Sequence, residues 1–109
     1  MTTFVYIVDG AVLTAAATTQ GAVVPALTRR IIKSASLTNT TAAPVAASVN
    51  LVPLAGTATA ANTFISLRPI AAGETYNCPE LIGKGLNPGG FVQALGLGVS
   101  FAYSASDIV

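Results

Sequence analysis

Read for the spacing of apolar and polar side chains, the chain alternates with a period of two, and Gly, Pro and Asn break the alternation about every 8 to 12 residues. Successive side chains on an extended strand point to opposite faces, so this alternation separates a buried face from an exposed one. Over 45–53, Val45, Ala47, Val49 and Leu51 share one face and Ala46, Ser48 and Asn50 the other, which predicts a half-buried strand. Near the end, Val99, Phe101, Tyr103 and Ala105 lie opposite Ser100, Ala102, Ser104 and Ser106, which predicts a strand with an aromatic inner side. Over 63–70, Ile65 and Leu67 fall on one side and Phe64, Ser66 and Arg68 on the other, while 74–82 and 91–97 supply two further candidates. In 28–39, Arg29, Ile31, Lys33, Ala35 and Leu37 share a face, so Lys33 either reaches solvent at a strand end or needs a partner.

Turn residues support the same divisions, at 39–44, 54–56, 71–74 and 87–90. Asp9-Gly10 is a hairpin signal, since both residues tolerate the positive φ of a type I′ turn. Pro69 and Pro79 point to edges or strand ends, because proline cannot donate to a ladder. The Ala-rich stretch 11–18 has no amphipathic face and reads as loop or strand. The expected fold is therefore all-β, a single-domain antiparallel β-sandwich, jelly-roll-like or Ig-like, over residues 21–109, with an N-terminal arm or hairpin over 1–20.

Composition changes this picture in one respect. Of 109 residues only 8% are charged and 52% are hydrophobic, so the chain has too few ionisable groups to cover itself in the usual way. Two readings follow, a monomer with a bland Ser/Thr/Ala surface or concealment of uncharged surface in an assembly, and concealment is the expectation. Arg29, Arg30, Lys33, Arg68 and Lys84, in a chain of net charge +1, form no stripe that could track a phosphate backbone, so nucleic acid is not expected as a partner. The Arg29-Arg30-x-x-Lys33 cluster reads as a solvated strand end or an interface salt bridge. Residues 34–67 carry no charge, but Asn39, Pro44, Asn50, Pro53, Gly56 and Asn62 interrupt them, and no membrane-spanning helix is expected. The first residues lack the basic region of a signal peptide, and Asp9 interrupts their apolar run. A single cysteine, Cys78, excludes an internal disulfide and fits assembly in a reducing cytoplasm.

Chemistry is sparse. With no histidine, one cysteine and four carboxylates, few catalytic mechanisms have their groups, and neither enzyme activity nor a cofactor is expected. Cys78 sits in an apolar context and reads as a core thiol. Asp9, Glu74, Glu80 and Asp107 lack the spacing of a calcium loop and read as solvated at turns or strand ends. Gly83-Lys84-Gly85 lacks the order of a phosphate-binding loop, and Asn39-Thr40-Thr41 is a glycosylation sequon without a secretory signal.

Lys33 before a strong strand, the Asn39-Thr40 turn, Val52-Pro53 with Gly56, the Ala72-Gly73-Glu74 turn and Gln93-Ala94 ahead of a final β segment form a succession over residues 23–106. It resembles a group of short virion proteins of tailed bacteriophages. Gly89-Gly90 departs from the pattern, where similar proteins often carry Gly-Asp. The resemblance implies a capsid decoration (cement) protein on the outside of the shell, in contact with the major capsid protein and with copies of itself, as a trimer. The other positions it implies are the neck or collar and the tail. A carbohydrate-binding tail module is a third reading, weakened by the absence of Trp. Phe4, Val5, Tyr6 and Ile7 are the candidate contact segment, because a β-forming terminal strip can add to a neighbouring sheet edge; the other reading is an ordinary first strand.

Overall fold

The computed structural model describes residues 3–109, which form β1 (Thr3–Val12), β2 (Thr18–Gln20), β3 (Arg29–Asn39), β4 (Val45–Val52), β5 (Thr63–Ile70), β6 (Thr75–Tyr76), β7 (Gly85–Leu86), β8 (Phe91–Leu95) and β9 (Val99–Ile108). Two antiparallel sheets result. The first has the order β1-β9-β3-β6, with β7 also pairing β3, and the second the order β2-β8-β4-β5. The ladders are nested: first strand with last, second with penultimate, β3 with β6 and β7, and β4 with β5. An antiparallel ribbon rolled into two facing sheets in this way is a jelly roll, which decides between the two expected forms of sandwich. Residues 3–20, expected as an arm or hairpin, supply an edge strand to each sheet.

The core lies between the sheets and is filled by the inner faces of the long strands. Phe101, Tyr103 and Ala105 of β9 pack with Ile32, Ala35 and Leu37 of β3 and with Ala47, Val49 and Leu51 of β4. As expected, Ser100, Ala102, Ser104 and Ser106 of β9 face outward. The turns at 54–56, 71–74 and 87–90 close with backbone bonds from Gly56 N to Pro53 O (2.9 Å), Glu74 N to Ala71 O (2.9 Å) and Gly90 N to Asn87 O (2.9 Å). Pro69 lies on β5, an edge strand, the position in a sheet where proline is tolerated.

Several expectations fail at β-bulges. An extra residue opposite one partner residue shifts the alternation by one from there on. In β3 the register slips between Ile32 and Ser34, so Arg30 and Ile32 point inward before it and Ala35 and Leu37 after it, with Lys33 exposed at the slip. The face of Arg29, Ile31, Lys33, Ala35 and Leu37 is therefore not continuous. In β5 the slip lies opposite Ser48, and Leu67 takes a φ of 44°, is exposed, and donates its N–H to Ser48 Oγ at 2.8 Å, whereas Ile65 stays in the core. Asp9-Gly10 is no hairpin turn: the two residues lie inside β1, where the register against β9 slips between Val8 and Ala11. Residues 74–82 form strand only at Thr75–Tyr76, and the chain then turns through Leu81 N to Cys78 O (3.0 Å).

β4 is buried on both faces along most of its length, contrary to the half-buried expectation. Ser48, Asn50 and Val52 lie on its outer side, and Asn50 Nδ2 donates to Thr59 O (3.1 Å), Asn62 Oδ1 (2.8 Å) and Thr63 Oγ1 (2.8 Å), so the β4–β5 connection lies over this side. Asn39, the sequon residue, is fully buried. Its amide donates to Ala43 O (2.8 Å) and Ile70 O (2.9 Å), and its Oδ1 accepts from Thr41 N (2.9 Å) and Thr41 Oγ1 (2.7 Å). Asn39→Ala leaves the Ile70 carbonyl without its donor in a dry environment, and urea unfolding is expected to show a loss of about 1–3 kcal/mol.

Candidate interaction surface

β1 forms one edge of the first sheet, with β9 on one side and no strand on the other among the described residues. Half of its backbone N–H and C=O groups therefore face away from the ladder. Val5 (75% exposed) and Ile7 (61%) project from the outer face opposite Ser106 and Ser104, and beyond the bulge Val12 (71%) does so opposite Ser100. Phe4 is 56% exposed. Tyr6 differs from the other three candidate residues: it is half-buried, points to the inner side, and packs against the core.

A buried polar cluster sets that orientation. Arg30 on β3 is 2% exposed and grips Asp107 on β9 with Nε to Oδ1 at 2.7 Å and Nη2 to Oδ2 at 2.9 Å, while Nη1 donates to Ala22 O at 2.8 Å. The solvated or interfacial role expected of Arg30, and the strand-end solvation expected of Asp107, are replaced by this ion pair. Burial alone pulls the Arg30 pKa down, but the hydrogen bond and negative charge of Asp107 outweigh it and hold the guanidinium above its ordinary value. The guanidinium carbon stacks 3.6 Å from the centre of the Tyr6 ring, and Tyr6 Oη accepts from Ala22 N at 2.6 Å. Tyr103 donates to Gln20 O at 2.9 Å. Gly21 sits between these hydroxyls at φ 82°, and a Cβ there would stand 2.7 Å from Tyr103 Oη and 2.8 Å from Tyr6 Oη. Residues 20–22 are thus tied to three strands of the first sheet.

The outer face of that sheet is broad and almost uncharged. Opposite pairs Ile31/Ser106, Ser34/Ser104, Ser36/Ala102 and Thr38/Ser100 run down β3 and β9, with Ser34 Oγ and Ser104 Oγ 2.6 Å apart. A shallow depression of about 370 Å³ opens where this face meets the β1 bulge, lined by Ile7, Asp9, Gly10, Ser36, Ala102 and Ser104 among others. A second groove, of about 350 Å³, is lined by Leu51, Leu54, Phe64, Leu86 and Pro88 and has no charged residue in its walls.

Three charged groups elsewhere are engaged in structure. Glu74 caps its own turn by accepting from Ala71 N (2.8 Å), Glu80 accepts from Tyr76 Oη (2.6 Å), and Arg68 lies 3.8 Å over the Tyr76 ring, linking the outer strands of the two sheets. Cys78 is fully buried, and burial pushes its thiol up to about 12, which leaves no reactive thiolate at neutral pH. Among the described residues no three His, Cys, Asp or Glu side chains gather as metal ligands, and no helix is long and apolar enough to cross a membrane.

Sequence reasoning singled out Phe4, Val5, Tyr6 and Ile7 of β1 as a candidate contact segment but did not read the outer serine face as a surface or find the Arg30–Asp107 pair behind it. The serine face was visible in the alternation of 99–106. The pair joins residues 77 apart and leaves no local signal.

Removing one partner, as in Asp107→Ala, strands a buried guanidinium and is expected to lower unfolding free energy by about 3–5 kcal/mol in urea titrations, whereas replacing both residues by apolar ones restores much of the loss. Alkaline pH acts on other groups. Cys78 and Tyr103 ionise near their ordinary 9.0 and 10.0 when unfolded, but burial raises both to about 12 in the fold, so the folded state holds more protons. Stability is therefore full below pH 9 and falls as pH rises towards 12. In Cys78→Ala the onset of the fall, followed by circular dichroism, moves up towards pH 10.

No family model, curated protein or solved structure matches this chain.

Proposed function

We propose that this chain is a non-catalytic structural subunit of a tailed-phage particle, a decoration protein that binds the outer shell in homo-oligomeric form. The observation that carries the reading is the broad outer face of the first sheet, where Ser, Thr, Ala and Ile line the β3–β9 pairs and Lys33 at the slip, Arg29 at the end and Asp9 at the β1 bulge are the charges, continuous with exposed Val5, Ile7 and Val12 on β1. Such a surface gains free energy when it is covered, because little charge has to be stripped of water. The jelly roll serves capsid, lectin and cupin domains alike, so the fold alone selects none of them. A cupin metal site has no histidine to build it. Exposed aromatic rings of the kind that stack on sugars reduce to Phe4 and Phe64 among the large exposed apolar residues. The mechanism is mass action: a protein that binds only the assembled shell stabilises it by its binding free energy, and symmetry multiplies the effect over many copies.

Cryo-electron microscopy of the whole particle, with copy counting by quantitative mass spectrometry, tests the reading. The expected result is density on the shell exterior and a copy number on the scale of the shell protein. A single ring at the neck or tail, or absence from the particle, overturns it. Particles lacking this chain are expected to release their contents at lower temperature than complete ones, measured by dye access to the packaged genome.

A further inference from the structure

The geometry points to β1 as a strand-pairing edge for a second copy of the same chain, joined antiparallel, β1 to β1, across a twofold axis. The sandwich has four sheet edges, and three are blunted. β2 is three residues long, β6 and β7 two residues each, and β5 carries Pro69, Arg68 and the bulge at Leu67. These are the devices that keep edges from pairing. β1 has none of them from Thr3 to Val8: no proline, no charge, and no bulge before Asp9-Gly10.

The occupant follows from what the edge displays. Its outward N–H and C=O groups require an extended backbone, and six residues can exchange about six hydrogen bonds. Among the described residues β1 is the free edge that is neither short nor broken by a proline or bulge over six residues, so self-association by strand pairing uses β1 on both sides. A patch that binds itself is isologous and closes as a pair. An axis perpendicular to the sheet keeps both inner faces on one side, so the four-strand order β1-β9-β3-β6 continues into its symmetry mate. No charged side chain lies on Thr3–Val8, so no like charges meet at the dyad, and Val5 and Ile7 of both copies gather on the common outer face. Tyr6, held inward by Ala22 and Arg30, keeps the edge in one register. The inference deepens the proposed function, since it rests on copies of this chain associating.

Sedimentation of the full chain, free of particles, tests it. A species of two copies is expected, and Val5→Lys with Ile7→Lys, which put like charges beside the dyad, weaken its dissociation constant by about tenfold or more. Val12→Lys, beyond the bulge, leaves it unchanged. In a series Phe4→Cys, Val5→Cys, Ile7→Cys, oxidative self-crosslinking peaks at one position and falls on either side, as antiparallel pairing requires; Cys78 is buried and silent. A monomer up to about 1 mM, a trimer or other ring, a dimer indifferent to the lysines, or crosslinking without a peak overturns the inference. Shell binding is read from the particle image, so either idea can fail while the other stands.

Discussion

Taking a guanidinium and a carboxylate out of water costs several kcal/mol per ion, and only close, multiply bonded geometry offsets it. Arg30 and Asp107 meet that condition with two parallel hydrogen bonds between the neighbouring strands β3 and β9, and the third arm of the fork reaches across to the Ala22 carbonyl. The rest of this end of the molecule is arranged around that fork. The Tyr6 ring lies against it, the Tyr6 hydroxyl accepts from the same residue whose carbonyl Arg30 holds, and Gly21 is the residue that fits between the two tyrosine hydroxyls. With Tyr6 fixed inward, pleating alone sends Val5 and Ile7 outward. The exposed apolar edge is thus a consequence of a buried ionic contact.

Alternation was a faithful guide wherever a strand ran without interruption. β9 reads residue for residue as expected, because its own side chains keep step from Val99 to Ile108. It failed in β3 and β5 for one shared reason: an extra residue reverses inside and outside downstream, and nothing local in Ile32-Lys33-Ser34 or Ser66-Leu67-Arg68 distinguishes a bulge from regular strand. Asp9-Gly10 carries turn chemistry, which serves a bulge as well as a hairpin. Polar residues misled in the opposite sense. Ser48 and Asn50 fell on the face opposite the buried one and Asn39 at a turn, yet each is buried where its side chain serves a backbone or side-chain partner. Of the candidate segment Phe4–Ile7, the exposure of Phe4, Val5 and Ile7 was legible and the inward turn of Tyr6 was not, because its partners lie on other elements.

The nested ribbon also explains how the two flanks of the sandwich are closed. Near β1 the closure is the chain at 20–22 leaving β2, where Ala22 bonds Tyr6 and Arg30, and on the far flank Arg68 of β5 lies over Tyr76 of β6 while Tyr76 bonds Glu80. A flat cation on an aromatic face joins surfaces without needing a long apolar side chain at the seam. Both flanks spend scarce charged residues on internal structure.

That economy has a consequence for the medium in which the molecule works. Once Arg30, Asp107, Arg68, Glu74 and Glu80 are engaged, Asp9, Arg29, Lys33 and Lys84 are the side-chain charges left without a hydrogen-bond, ion-pair or aromatic partner among the described residues. Mobile ions have little to screen on such a body. Contacts made through its hydroxyl and aliphatic surface should persist from dilute buffer to brine and tighten on moderate warming, because they draw on water release more than on attraction between charges.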